Sequence, residues 1–402
     1  MRVEGRLVAL STAMLASCAL STPPGHEDVV KQALPEKTSV PPTWKTIADA
    51  EPVADEWLKS FGDPTLEAIV AEALANNLDF RQALENITIA QQGLVIVGSQ
   101  LLPQVGAELG ARVTKEATQS ANTGTLAFAS VGWELDLWGK LRAQRDASQA
   151  MYEATALEVA AARQSLAATV AKAWYLATET RQLLSLAEQS VQIYSDLLDL
   201  VKIRRSVGKD SDLDIFDTRA KLQYAQSEAE WARAPYGEAR RALEVLLGRY
   251  PAAEIEVVAE YPRLSPSPAA GVPAALLLRR PDLIAAEREV LAAFRKEEAA
   301  ELALLPDLSI SLSGGRLSDT VLSQFDLNPW LSSAAIGVSI PLYSGGALNA
   351  QVKIATAKQA QAVARYGSVL LSAFREVEDT LANEQLLLNR EPMAAGALRD
   401  RN

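Results

Sequence analysis

Two stretches of strict apolar and polar alternation stand out along the chain, each opened by a Leu-Pro pair. After Leu102-Pro103, the residues Val105, Ala107, Leu109, Ala111 and Val113 alternate with Gly106, Glu108, Gly110 and Arg112. Beyond a polar loop, Ala129, Val131, Trp133, Leu135 and Leu137 alternate with Ser130, Gly132, Glu134 and Asp136. The pattern returns after Leu305-Pro306. Leu308, Ile310 and Leu312 alternate with Ser309, Ser311 and Ser313, and then Ala334, Ile336, Val338, Ile340 and Leu342 alternate with Ser333, Ala335, Gly337 and Ser339. A period of two marks a β-strand, because successive side chains point to opposite faces. Two strand pairs are therefore predicted, within 103–137 and 306–342. Each run of about ten residues suits a tilted strand across a bilayer, with one apolar face and one small or polar face.

The segment after each pair has a different period. From Lys140 to Val207 there is neither Gly nor Pro, and Ala, Leu, Glu, Gln and Arg dominate. This predicts a helix roughly 100 Å long. Leu157, Val170, Trp174, Leu184, Val191 and Leu198 recur at helical or heptad-compatible spacing, so the helix must pack sideways, as in a coiled coil. A second long run covers Ala347 to Glu391, and a helix over Leu66 to Leu101 precedes the first strand pair. The fold class is mainly α with membrane β: long helical hairpins and four strands per chain. Four strands cannot close a barrel, and open strand edges in lipid cost several kcal/mol per unsatisfied group, so several chains are expected to pool their strands.

The organisation is then a first repeat over 57–250, a linker over 251–279 and a second repeat over 280–402. The second copy is shorter by roughly 60 residues. Its return helix is expected to be missing, since 389–402 carries Pro392 and Gly396 and then stops. In the first copy that return comes after the turn Val207-Gly208-Lys209-Asp210-Ser211-Asp212.

Composition removes whole classes of activity. With one Cys and one His in 402 residues, neither a disulfide framework nor a structural zinc site nor a His-based triad can be assembled within the chain. There is no phosphate loop, dinucleotide fingerprint or nucleophile elbow, so neither cofactor nor enzyme chemistry is expected. A net charge of -11 opposes nucleic-acid binding. At the start, Arg2 and Arg6 precede the apolar run Leu7 to Leu15, which reads as a signal peptide over 1–17. Leu15-Ala16-Ser17-Cys18 resembles a bacterial lipobox, making Cys18 the lipidated residue, with Ala19 directing it to the outer membrane. The stretch 18–56 is rich in Pro, Thr and Glu and reads as an extended tether without a core of its own, in which His26 is solvated. No other stretch has 18 consecutive apolar residues.

Six segments stand in order along the chain: Trp57 with Phe61-Gly62-Asp63-Pro64, Ala73-Leu74-Ala75-Asn76-Asn77, Trp133-Glu134-Leu135-Asp136-Leu137-Trp138-Gly139, Leu278-Arg279-Arg280-Pro281-Asp282-Leu283 with Ala286-Glu287, Ile340-Pro341-Leu342-Tyr343-Ser344-Gly345-Gly346 and Phe374-Arg375-Glu376-Val377-Glu378-Asp379. Together they resemble the outer-membrane efflux protein family, the TolC-like channels, in the lipoprotein branch that serves resistance-nodulation-division pumps. The resemblance implies a homotrimer with a twelve-stranded barrel in outer-membrane lipid and a periplasmic helical tunnel, partnered by a periplasmic adaptor and an inner-membrane pump. It implies passive export of small molecules or drugs, by a chain truncated at its C-terminal end. A channel for type I secretion or metal efflux, or a non-conducting periplasmic coiled-coil lipoprotein, are the competing expectations.

In the barrel reading, Glu108, Arg112, Ser130, Glu134, Asp136, Ser309, Ser311, Ser313 and Ser339 line the lumen, and Val131, Leu135, Ile336 and Ile340 face lipid. Glu134 and Asp136 either stay solvated, favouring cations, or pair with a nearby Lys or Arg. The resemblance makes Arg204, Val207, Gly208, Lys209 and Ser211 an adaptor-docking tip and Asp214 and Asp217 inner-end acidic residues; a plain solvated hairpin is the alternative.

Overall fold

A computed structural model describes residues 20–38, 40–46, 57–114, 122–258, 260–262, 271–318 and 330–399. The signal segment and Cys18 lie outside them. The described chain runs α1 (His26–Ala33), α2 (Pro64–Asn76), α3 (Leu78–Ser99), β1 (Gln104–Thr114), β2 (Asn122–Leu135), α4 (Lys140–Ser206), α5 (Asp212–Leu246), α6 (Pro273–Arg279), α7 (Pro281–Leu302), β3 (Asp307–Ser318), β4 (Leu331–Ser339) and α8 (Ala347–Arg399). It divides into two compact units. One draws on Met1–Ile47, Asn86–Glu158 and Pro273–Asn402, and the other on Ala48–Glu85 and Val159–Val272.

The first unit holds the sheet. Its four strands lie in the order β1-β2-β3-β4, all antiparallel. Toward the Leu-Pro ends of the strands the register keeps the two predicted faces together across all three ladders. Val105 pairs with Val131, Val131 with Leu312, and Leu312 with Ala334, while Gly106 pairs with Ser130, Ser130 with Ser313, and Ser313 with Ser333. A slip of one residue would have put every side chain on the wrong face.

The same unit contains a core that residue order did not reveal. Val29 of α1 is buried with Leu277 of α6, Leu283, Ala286 and Val290 of α7, and Tyr366, Leu370 and Ala373 of α8. The expectation of a coreless tether over 18–56 is therefore corrected: Val29 and Trp44 are each only 3% exposed. Trp44 meets the Phe374 ring edge-on at 6.1 Å, and the Glu378 carboxylate accepts from the N–H groups of Lys45 and Thr46 at 2.8 and 3.2 Å. His26 is corrected likewise, since its Nδ1 lies 2.7 Å from Glu287 Oε2 on α7. An eight-residue amphipathic helix set among prolines is too short to announce itself by periodicity.

In the second unit, Leu66, Ile69, Val70 and Ala73 of α2 pack with Val170, Ala171 and Trp174 of α4 and with Leu243 and Leu247 at the end of α5. The helix expected over Leu66–Leu101 is broken at Asn77. Its side-chain Oδ1 accepts from Phe80 N at 2.9 Å, capping α3, and its Nδ2 donates to Leu246 O at 3.0 Å. An amide that caps one helix and ties down another holds the chain out of helical geometry. Conversely, α8 continues to Arg399 through Pro392 and Gly396, where the sequence predicted an end near Glu391. Proline removes one hydrogen bond, and the bonds on either side carry the helix past it.

Beside this core sits Glu244, 2% exposed. Burial pushes its carboxyl pKa up, and N–H bonds from Ile255, Ala253 and Glu254 at 2.9, 2.7 and 2.6 Å more than reverse this, so the net shift is downward.

Candidate functional site

The sheet is where the predicted lumen residues meet. On its apolar face, Val105, Leu109, Ile336 and Val338 are 63–82% exposed, while Thr125 and Arg316, at the far end of the same face, are buried. On the opposite face Ser130, Ser313 and Ser333 form a row across β2, β3 and β4, with Ser313 Oγ 2.8 Å from Ser333 Oγ. Glu134, Ser309 and Gly337 form the next row but one, Gly132, Ser311 and Ala335 lie between, and Asp307 pairs with Ser339. Glu108 and Arg112 hold polar-face positions on β1, opposite Phe128 and Gly124. The side chain of Arg112 is outside the described residues.

Of the three carboxylates predicted on this wall, one remains bare. Glu134 Oε1 lies 2.7 Å from Lys140 Nζ, which also reaches Asp307 Oδ1 at 2.6 Å. Asp136 is not a lumen residue. It accepts from the N–H groups of Leu141 and Arg142 at 2.9 and 3.0 Å and pairs with Arg142 Nε at 3.0 Å, so it caps α4. Trp138 Nε1 donates to Pro306 O at 2.7 Å, closing the same junction against the start of β3. Trp133 Nε1 donates to Leu101 O at 3.0 Å. Glu108 has no hydrogen bond or ion pair among the described residues. Sequence reasoning missed Lys140, Asp307 and Phe128 as members of this wall and its rim. Lys140 stands one residue past the Trp133–Gly139 motif, but its partners on β2 and β3 could be known only from the register.

The helical turn between α4 and α5 is equally well defined. Gly208 at φ +76° closes it, with Gly208 N bonded to Arg205 O at 3.0 Å and Lys209 N to Arg204 O at 2.9 Å. This is the paired bonding of a left-handed helix C-terminus, which glycine adopts without strain. Arg204 Nε bonds Asp210 at 2.8 Å and Arg205 Nε bonds Asp212 at 2.9 Å. Ser211 and Asp214 form a capping box, in which Asp214 Oδ2 accepts from Ser211 N and Oγ at 2.8 and 2.7 Å. The bond from the Ser211 hydroxyl, then that from its backbone, draws the Asp214 pKa down. Asp217 pairs with Lys221 at 2.7 Å. So Arg204, Asp214 and Asp217 are engaged locally, and the turn presents Val207, 64% exposed, together with Lys209.

The flanks of the hairpin carry unpaired apolar stripes. Leu186, Ile193 and Leu200 on α4 and Val207 just beyond its end are exposed at seven-residue intervals, and Leu213, Phe216, Tyr224 and Trp231 are exposed along one side of α5. Such stripes suit packing against further helices. Among the described residues, no helix is long and apolar enough to cross a membrane, and no group of three His, Cys, Asp or Glu could hold a metal.

A sheet and hairpin of this kind are known elsewhere. Residues 69–249 and 272–402 match the family described as outer membrane efflux protein. The chain is 29% identical over 392 residues, 93% of its length and 80% of the relative's, to the pyoverdine export outer membrane protein OpmQ of Pseudomonas putida. It is 31% identical over 387 residues, 90% of its length and 80% of the relative's, to outer membrane protein OprJ of Pseudomonas aeruginosa. In fold it is similar to the crystal structure of a membrane protein from Pseudomonas aeruginosa, with a TM-score of 0.79 at 28% identity over 90% of this chain and 86% of that one.

Proposed function

Because this chain belongs to the outer membrane efflux protein family, we propose that it is the outer-membrane conduit of a tripartite efflux system, passing small molecules outward without an energy source of its own. One observation carries the reading. From the Leu-Pro ends of its strands as far as the row of Ser130, Ser313 and Ser333, the four-stranded sheet is apolar on one face and polar on the other, and among the described residues its outer strands β1 and β4 each leave an edge unpaired within the sheet. In hydrocarbon those edges must be satisfied, and pairing β4 of one copy with β1 of the next does so while turning the serine rows toward water. Three copies would supply a complete barrel, and the exposed stripes of α4 and α5 would supply further helix contacts between copies. Lipid on Cys18 would hold the N-terminal segment at the membrane, from which α1 reaches the core of α7 and α8.

A periplasmic adaptor and an inner-membrane pump are the partners of this reading, with the Val207–Lys209 turn as the docking end. Export of pyoverdine by the relative named above supports a small-molecule cargo.

The test is an unheated gel of extracted outer membranes beside a planar-bilayer recording. A trimer with discrete conductance supports the reading. A monomer without conductance refutes it and favours a periplasmic lipoprotein held only by its anchor.

A further inference from the structure

One row of the polar face breaks its serine and glycine character. Glu108 on β1 stands directly opposite Phe128 on β2, Phe128 opposite Gly315 on β3, and Gly315 opposite Leu331 on β4. Cross-strand neighbours of this kind have Cβ atoms about 5 Å apart, close enough for one small molecule to touch both. Phe128 lies close against Gly315. A Cβ added at Gly315 would run into the Ala127 carbonyl oxygen and stand 2.6 Å from Phe128 Cα and 2.7 Å from Phe128 Cγ, so only glycine fits beside Phe128. The row therefore offers one carboxylate, one aromatic face and one aliphatic side chain, laid side by side on a glycine floor.

The charge at this row is free in a way its neighbours are not. Glu134 shares the Lys140 ammonium with Asp307, and Asp136 is taken up in capping α4. Glu108 is exposed and has no partner among the described residues. The equivalent row of the second repeat has no such pair: Leu102-Pro103 corresponds to Leu305-Pro306, which places Ser311 where Glu108 stands. Each chain thus contributes one carboxylate and one ring, on adjacent strands of the same face.

We infer that Glu108 and Phe128 form a contact site for amphiphilic organic cations on the barrel wall, the carboxylate taking the positive charge and the ring and Leu331 taking the apolar body. The site rests on the channel reading above and gives that conduit a preferred class of cargo. An aromatic face beside a carboxylate attracts an organic cation through both its charge and its surface, whereas an inorganic cation engages the carboxylate alone.

The test uses the trimeric protein in planar bilayers. A salt gradient reads the cation-to-anion permeability ratio, and block is compared for benzyltrimethylammonium, tetramethylammonium and uncharged benzyl alcohol. Glu108→Gln should lower the permeability ratio about threefold and weaken block by both ammonium ions, with benzyl alcohol unaffected. Phe128→Leu, which keeps the bulk and removes the aromatic face, should leave the permeability ratio intact and reduce the preference for the benzyl over the tetramethyl ion about threefold. A conducting Glu108→Gln channel with wild-type permeability ratio and wild-type block overturns the inference and leaves the conduit standing. Absence of conductance in the unsubstituted trimer removes the conduit and this site with it.

Discussion

The chain contains the same strand-to-helix junction twice, and only one copy is closed. Both turn on a glycine with positive φ before the helix, Gly139 at +91° and Gly346 at +86°. At the first, Asp136 caps α4, Trp138 bonds Pro306 O, and Lys140 bridges Glu134 and Asp307. At the second, Pro341 stands in place of the capping aspartate, and Leu342 and Tyr343 are each 91% exposed. The closed junction welds β2 to β3, which are neighbours in one chain. The open one lies beside β4, whose far edge has no neighbour in the sheet among the described residues. Polar closure is built where the partner strand is always present, and apolar surface is left where the partner must arrive from another copy.

Breaking the closed junction should have the largest effect. Asp136→Ala removes a buried cap and leaves Arg142 without its partner; about 3 kcal/mol of stability should be lost, read by thermal unfolding of the detergent-solubilised protein. A control outside both junctions is Glu244. Glu244→Gln should cost about 2 kcal/mol, because three backbone N–H groups lose a charged acceptor, and hydrogen exchange at 253–255 should rise. Its depressed pKa adds a sign. The stabilisation is fully present above the ordinary carboxylate pKa of about 4.3 and is lost as pH falls through the lower native value. The wild-type core should weaken across that acidic window more steeply than the Gln variant.

Smaller effects sharpen the contrast. Lys140→Met should cost about 1 kcal/mol, since both of its carboxylate partners are partly solvated. Tyr343→Ala should change chain stability by less than about 0.5 kcal/mol, since the side chain touches little within the chain. It should nonetheless reduce the trimer band on an unheated gel. A large loss of chain stability from Tyr343→Ala would erase the distinction between the two junctions.

Much of this was readable from residue order, for physical reasons that differ by element. Strand faces follow from strict alternation, so Val105 through Leu312 fell on the apolar side as expected. The 67-residue α4 follows from the absence of Gly and Pro. Alternation cannot supply the register between strands distant in sequence, and so it could not say that Lys140 reaches Asp307 or that Glu108 stands beside Phe128. Nor could it separate Asp136 as a cap from Asp136 as a lumen charge, because both sit on the polar parity of β2. The α1 helix and the break at Asn77 depend on tertiary partners, Tyr366 and Leu246, far along the chain. Residues 207–210 form a turn as the sequence predicts, while the engagement of Arg204 and Asp214 by their own neighbours follows only from geometry.

The channel reading stands or falls on four strands that line water on one face and lipid on the other. Single cysteines introduced along β2 address this without interference, since Cys18 is the only native thiol. Cells would be treated with a membrane-impermeant, water-soluble thiol reagent. Labelling should alternate, strong at Ser130, Gly132 and Glu134 and weak at Ala129, Val131 and Trp133. Equal labelling at both parities would show strands bathed in water on both sides, and would contradict a barrel in the membrane.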